Sequence, residues 1–377
     1  MSQPRLLYLM NEALFFTTHR MPVAMAAAKL GYEVHVAAPF ERVSVDKIKA
    51  QGFIYHDIPL ERGGLNPLGE MRLVWHLFGL MRRLRPDLVH HVAMKPVTYG
   101  GLASRLLGVP AVVHAVTGLG YLFTREDLKA RLIRAFILRL YRFALAHQNA
   151  VAIFQNPDDL GMFVERGLVA ERIVAMIKGC GCDIEVFKPR PRPDRPVTVM
   201  FPARILGDKG INEFIEAVRI LKAEGSEARF ILVGRRDPLN PTDVPEATIH
   251  GWVREGLAEW WGFRSDMPDV LVEADIICMP SYREGLPRGL IEAASCGLPI
   301  VTADVPGCRE IVRDGDNGLL VPVRDGPATA DALRRLIADT ALRERMGRRG
   351  RERAETEFSE ERFVADTLAA YARVQTP

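Results

Sequence analysis

Twice along this chain, short apolar runs rich in Val, Ile and Phe alternate with segments of helical periodicity. That alternation is the pattern of βαβ units around a parallel sheet. The first series reads RLLYLM, EVHVAAP, GFIYHDIPL, LVHHVA, AVVHAV and AVAIFQN as strands, with MPVAMAAAKLG, NPLGEMRLVWHLFGLMRRLRPD, GLASRLLG and DLKARLIRAFILRLYRFALAH as the helical stretches. The second reads VTVMFPA, RFILVG, TIHGW, DIICMP, PIVTA and NGLLVP as strands, joined by INEFIEAVRILKAEG, MPDVLVEA, LPRGLIEAASCG and GCREIVRDG. Between them lies FKPRPRPDRP at 187–196, proline-rich and without an apolar pattern after Phe187, which reads as an extended linker. The expectation is an α/β chain of two Rossmann-like, doubly wound parallel-sheet domains, 1–186 and 197–355, with a last helix at 356–377 crossing back to the first. Ligands of such sheets bind outside the carboxyl ends of the strands, so two facing domains put the site in the cleft between them.

At 377 residues the chain is long enough for two domains, and 48% hydrophobic with 26% charged residues is the composition of an ordinary globular protein. A net charge of +3 gives no reason to expect a nucleic-acid partner. The five cysteines form no dense even pattern, which points to a reducing cytosol, and Cys180-Gly181-Cys182 has no second pair at zinc spacing, so no metal is expected. The opening LLYLM is too short for a signal-peptide core. LLGVPAVVHAVTGLGYLFT has spanning length, but Gly108, Pro110, His114, Thr117, Gly118 and Gly120 divide it into a helix end, a buried strand and a glycine loop.

The common α/β chemistries are excluded in turn. A nicotinamide-binding half carries G-x-G-x-x-G after its first strand, whereas that loop here is NEALFFTTHRMP, without a glycine. GLGYLF and GCGCDI place Phe123 and Ile184 where the third glycine belongs, and there is neither a P-loop nor a G-x-S-x-G elbow. A basic pair and an acidic pair remain in the second series. FPARILGDKG carries Arg204 and Lys209 in a strand-to-helix turn, and PSYREGLPRGLIE carries Glu284 and Glu292 around another. Such turns present backbone N–H groups and the positive end of a helix dipole, which favour a phosphate. Pro287 suits the first turn of that helix. Two fixed cations and a helix N-terminus can hold a diphosphate without a metal ion, and an ionised carboxylate can accept both hydroxyls of a ribose. Taken singly, Arg204 and Lys209 read first as a solvated turn and Glu284 as a surface loop residue; their combination in one α/β domain is what is specific.

With ARILGDKGINEFIEA, FILVG, and the run from GFRSDMPDVL through EIVRDGDNGLLVP, the chain resembles the retaining GT-B glycosyltransferases of family 4. Glu284 and Glu292 match that family's E-x7-E signature. FFTTHRMPVAMAAAKLGYEVHVAAP, IPLERGGLNPL, RPDLVHHVAMKP and AVTGLGYLFT look like the branch that builds capsule, O-antigen or N-glycan precursors on undecaprenyl diphosphate. The resemblance implies a UDP-sugar as substrate, with no separate cofactor, and a catalytic set of Glu284, Arg204 and Lys209. Arg204 and Lys209 would neutralise the donor diphosphate, Glu292 would hold the ribose, and Glu284 would meet the transferred sugar beside Gly285, Leu286 and Pro287. Arg288 would approach a phosphate, and Gly262, Phe263 and Arg264 would lie at the nucleobase edge. In the family's inferred mechanism the leaving phosphate takes the acceptor proton, so no protein nucleophile is required.

One departure concerns the first domain. Many relatives have a histidine where this chain has Thr117, so a catalytic histidine is not expected there, and His114 is weighed as a replacement. His19, Arg20 and Lys95 are the other candidates for the acceptor side. An acceptor of polyprenyl-diphosphate-linked glycan implies a peripheral enzyme on the inner, anionic face of the cytoplasmic membrane. Trp75, Phe78, Arg82, Arg83 and Arg85 on one helix, and Arg125, Lys129, Arg131, Arg134, Arg139 and Arg142 on another, would supply its basic, apolar face. Transfer to a soluble acceptor and a non-catalytic two-domain sugar-binding protein are the competing readings.

Overall fold

The computed structural model describes residues 3–61, 66–118, 128–191 and 195–375. It divides into one unit of Met1–Cys180 with Glu361–Pro377 and a second of Gly181–Glu360.

The first unit is built on β1 (Arg5–Leu9), α1 (Ala13–His19), α2 (Met21–Lys29), β2 (Glu33–Ala38), α3 (Arg42–Ala50), β3 (Ile54–Asp57), α4 (Pro67–Leu84), β4 (Leu88–Val92), α5 (Gly101–Leu107), β5 (Ala111–Val116), α6 (Leu128–Leu145), β6 (Ala150–Phe154), α7 (Pro157–Glu165) and β7 (Val174–Met176). The strands form one parallel sheet in the order β3-β2-β1-β4-β5-β6-β7. β4, β5 and β6 are buried at every residue, as central strands covered on both faces must be, which is why they read as continuous apolar runs. β7 was not expected. It has only three residues, none fully buried, and so too little apolar signal to stand out. The glycine-free segment expected as a loop after β1 instead forms α1, seated by buried Ala13 and Phe16.

The second unit contains β8 (Thr198–Phe201), α8 (Ile211–Ala223), β9 (Arg229–Leu232), α9 (Glu246–Arg254), β10 (Glu259–Trp260), α10 (Met267–Val270), β11 (Ile276–Met279), α11 (Arg288–Ser295), β12 (Ile300–Ala303), α12 (Cys308–Ile311), β13 (Gly318–Val321), α13 (Gly326–Ala338) and α14 (Thr340–Glu357). Its parallel sheet runs β10-β9-β8-β11-β12-β13. TIHGW, expected as a strand, lies within α9. Its buried Ile249 and Trp252 are spaced for one face of a helix, and the strand falls later, at the two residues of β10.

α15 (Glu360–Gln375) then returns to the first unit. Its Phe363, Ala370, Tyr371 and Val374 join the core that α1, α2 and α3 build on one face of the first sheet. There the Tyr8 hydroxyl lies 2.8 Å from that of Tyr371, which lies 2.6 Å from His90 Nδ1. The other face carries α4, α5, α6 and α7. The segment expected as a linker from 187 begins packed: Phe187 is buried and its carbonyl accepts from Ser295 Oγ at 2.5 Å. The second unit already begins at Gly181.

Candidate functional site

The candidate site occupies two turns at the carboxyl ends of β8 and β11, which lie side by side in the second sheet. After β8 the chain passes Arg204 and Lys209 before α8 begins; after β11 it passes Glu284 before α11 begins. The two turns touch. Tyr282 N–H donates to Asp208 O at 2.9 Å. Gly210 takes φ +79°, and a Cβ there would lie 2.1 Å from Pro280 O, so only glycine allows this approach. At the start of α11, a Cβ on Gly289 would lie 3.2 Å from Pro202 O.

Three cations of these turns face carboxylates. Lys209 Nζ pairs with Glu284 Oε1, Arg204 Nη1 with Asp237 Oδ2 at 2.5 Å, and Arg288 Nε with Glu292 Oε1 at 2.6 Å, one turn apart on α11. Glu292 is the most enclosed: burial raises its pKa and Arg288 opposes the shift. Pro287 is the N-cap of α11 and not, as expected, inside its first turn; neither a capping side chain nor an acidic residue occupies that end. Gly285 and Leu286 are buried beside it. A Cβ on Gly307, at φ +81°, would meet Gly285 O at 2.3 Å, so this glycine admits the loop backbone.

The loop carrying Glu284 is braced from below. Tyr282 donates its hydroxyl to Glu213 Oε1 at 2.6 Å, where buried Glu213 lies in the first turn of α8, and Arg324 covers the tyrosine ring at 4.8 Å. Neither this brace nor Asp237 was anticipated. Their partners lie 69 and 33 residues away in sequence, beyond any local pattern. Gly262, Phe263 and Arg264 follow β10. Gly262 O accepts from Gly234 N–H at 2.8 Å, Phe263 is 58% exposed, and Arg264 pairs with Asp266.

The expected acceptor-side residues are all in the first unit, in different surroundings. His114 is fully buried, stacked on His91 at 4.9 Å, with neither ring nitrogen hydrogen-bonded. Burial, then His147, pushes its pKa down to about 3. It is a neutral core residue and cannot serve a sugar. Lys95 is engaged internally, donating to Glu70 Oε1 at 2.5 Å and Glu61 O at 2.6 Å. His19 is half-buried, stacked on Phe15 at 3.8 Å, with Nδ1 2.7 Å from Thr18 Oγ1. Thr117 is half-buried just past β5. Arg20 is buried between α1 and α2. Arg125 and the Lys129 side chain lie outside the described residues. Among the described residues no His, Cys, Asp and Glu cluster has the form of a metal site.

A family model of group 1 glycosyl transferases matches residues 196–339, and one of 4-like glycosyl transferases matches 5–156. The chain is 29% identical to the N,N'-diacetylbacillosaminyl-diphospho-undecaprenol alpha-1,3-N-acetylgalactosaminyltransferase of Campylobacter jejuni, covering 94% of this chain and 95% of that one. It is 30% identical to EpsD of Bacillus subtilis (strain 168), whose name assigns it provisionally to the glycosyltransferases, over 96% of this chain and 95% of EpsD. Among solved structures, Anabaena HepE in complex with UDP and glucose superposes with a TM-score of 0.76 at 18% identity, covering 97% of this chain and 99% of HepE.

Proposed function

This chain belongs to the group 1, family 4-like glycosyltransferases and has their GT-B fold, and from that membership we propose that it moves a hexose or N-acetylhexosamine from a UDP-sugar to an undecaprenyl-diphosphate-linked saccharide, with retention of anomeric configuration. The observation that carries the donor half is the contact between the Lys209 turn and the α11 turn. It brings Arg204, Lys209, Glu284 and Glu292 into one set of strand ends around a helix N-terminus without an acidic residue.

In this reading the diphosphate enters where the cations now hold carboxylates. Lys209 and Arg204 pass from Glu284 and Asp237 to phosphate oxygens, and the N–H groups at the start of α11 add their dipole. Glu284, released, accepts hydroxyls of the transferred sugar, and Glu292, paired with Arg288, accepts the ribose diol. As the bond from the anomeric carbon to the diphosphate breaks, charge grows on the leaving oxygen, where these fixed donors stabilise it. The departing phosphate takes the proton of the acceptor hydroxyl on the same face. The cations do the work of a metal ion, so chelators leave activity intact.

The acceptor half draws on the Campylobacter relative's name and on the outer surface of the first unit. Leu68, Met71 and Trp75 of α4, and Leu128, Leu132 and Phe136 of α6, are each more than half exposed, interspersed with exposed Arg72, Arg82, Arg83, Arg131, Arg139 and Arg142. Such a face suits peripheral contact with an anionic bilayer at the inner side of the cytoplasmic membrane. No described helix is long and apolar enough to cross a membrane. The test is UDP release from a panel of UDP-sugars, with a synthetic polyprenyl-diphosphate sugar as acceptor. Turnover with that acceptor and retained configuration in the product are expected; transfer to free saccharides alone would overturn the lipid-linked reading.

A further inference from the structure

The first unit holds a charge that the donor site does not use. Arg20 stands between α1 and α2, following the carboxyl end of β1, and is 2% exposed. Its guanidinium lies over the Phe363 ring, Cζ 5.0 Å from the centroid. Apart from that contact the side chain has no hydrogen bond or ion pair among the described residues, and Nε is buried without a partner. Its electrostatic neighbours are Cys180, Tyr371 and Tyr8, none of them a carboxylate. A buried ion without a counter-ion costs several kcal/mol, and one cation–π contact returns about 1–2 kcal/mol. Packing alone is therefore a poor reason for an arginine here, where an apolar side chain of similar length would cost less.

A second feature of the same turn points the same way. Arg20 is the N-cap of α2, a nine-residue helix with no acidic residue in its first turn and no capping bond from the N-cap side chain. The positive end of that helix dipole and the guanidinium thus favour one kind of ligand, an anion. The place also fits, since ligands of parallel sheets gather beyond the carboxyl ends of the strands.

We propose that Arg20 and the start of α2 form a binding site for a phosphoryl group, and that its ligand is the diphosphate of the lipid-linked acceptor. This rests on the reading of that acceptor given above. A diphosphate also belongs to the donor, so the test separates the two.

Arg20→Met keeps the length of the side chain and removes the charge; Arg20→Lys keeps a charge. Melting temperatures are measured with and without inorganic pyrophosphate in a Lys209→Ala background, which removes the donor site's claim on the anion. KM is measured for the polyprenyl-diphosphate sugar and for the UDP-sugar with Lys209 intact. The expected result is an R20M protein at least as stable as its parent without ligand, a pyrophosphate shift that is lost in R20M and kept in R20K, and an acceptor KM raised about tenfold or more with the donor KM unmoved. An R20M protein that unfolds or melts lower, with a pyrophosphate shift kept in R20K only to the extent that stability is kept, assigns Arg20 to packing and overturns the site. An unmoved acceptor KM in a folded R20M also overturns it, and a raised donor KM overturns the acceptor as its ligand. If the parent enzyme ignores the polyprenyl acceptor altogether, the proposed function falls, while the pyrophosphate shift still decides whether Arg20 binds an anion.

Discussion

Arg20, beyond the carboxyl end of β1, and the cations at the carboxyl end of the second sheet are housed in opposite ways. In the second unit Arg204, Lys209 and Arg288 each face a carboxylate, and the turns that carry them are pinned by glycines and by a braced tyrosine. In the first, His90, His91 and His114 are buried, with burial as the main reason their pKa values fall, and Arg20 faces rings and a thiol. Paired charges rest at small cost until a ligand exchanges with one partner. An unpaired buried charge has no such resting state, so its cost stands in the free protein. The first unit should therefore keep or gain stability when Arg20 or His114, which lack hydrogen-bond partners among the described residues, is made apolar, and the second should lose it when one member of a charged pair is removed.

The largest effect is expected at the paired end. Lys209→Ala should lower kcat/KM by about 100- to 1000-fold, as removal of a donor aimed at developing charge does elsewhere. Glu292→Ala should abolish the rise in melting temperature that UDP produces by linkage. Unchanged UDP affinity in either variant would break the assignment of this end as the donor site. Next comes the outer face of the first unit. Replacing Arg82 and Arg83 with Gln removes about 2 kcal/mol of attraction, at about 1 kcal/mol per basic residue, and binding to anionic vesicles at low salt should weaken roughly thirtyfold. Equal partitioning of variant and parent would show that these charges are merely solvated.

A smaller effect tests the brace. Tyr282→Phe leaves the carboxylate of Glu213 buried without its donor, and urea unfolding should show a loss of about 1–3 kcal/mol. Adding Glu213→Leu should restore most of it, because both partners are then apolar, while kcat stays low if the brace positions Glu284. Recovery of kcat along with stability would reduce Tyr282 to a structural role.

The smallest effect concerns the unpaired end. His114 has a pKa of about 3 in the folded chain against about 6.5 unfolded. Below pH 6.5 the unfolded chain binds more protons, so the stability tied to a neutral His114 is complete above that pH and is lost as pH falls toward 3. The loss is about 1.4 kcal/mol by about pH 5.5. His114→Leu should flatten that acid limb without lowering stability at neutral pH. An unchanged pH profile would mean that His114 is not a neutral group held in the core.

How far the sequence discloses these two ends follows from distance along the chain. The donor turns are local: Arg204 and Lys209 share one turn, Glu284 and Glu292 flank another, and strand-turn-helix patterning puts both at strand ends. Their partners are not local. Glu284 meets Lys209 across 75 residues, and Glu213 meets Tyr282 across 69. In the first unit the strand LVHHV reads correctly as apolar, yet two adjacent histidines on it point to opposite faces and both end up buried, an outcome set by helices far away in sequence. Lys95 stood out at a strand's carboxyl end and His114 as a neighbour of Thr117; packing, invisible to spacing, gave one a carboxylate and the other a stacked ring. TIHGW shows the converse. Its β-branched and aromatic residues suit a strand, but the three-residue step from Ile249 to Trp252 decided for a helix.

The return of α15 to the first unit has a consequence in time. Tyr8 and Tyr371, which share a hydrogen bond, are separated by 363 residues. At about 5–20 residues per second, a ribosome spends roughly ten to forty seconds making the second unit after the first has emerged. Throughout that interval the face of the first sheet that α15 will cover stays open, with Arg20 and His90 lacking their ceiling. The amino-terminal half is thus the first to be synthesised and the last to be finished.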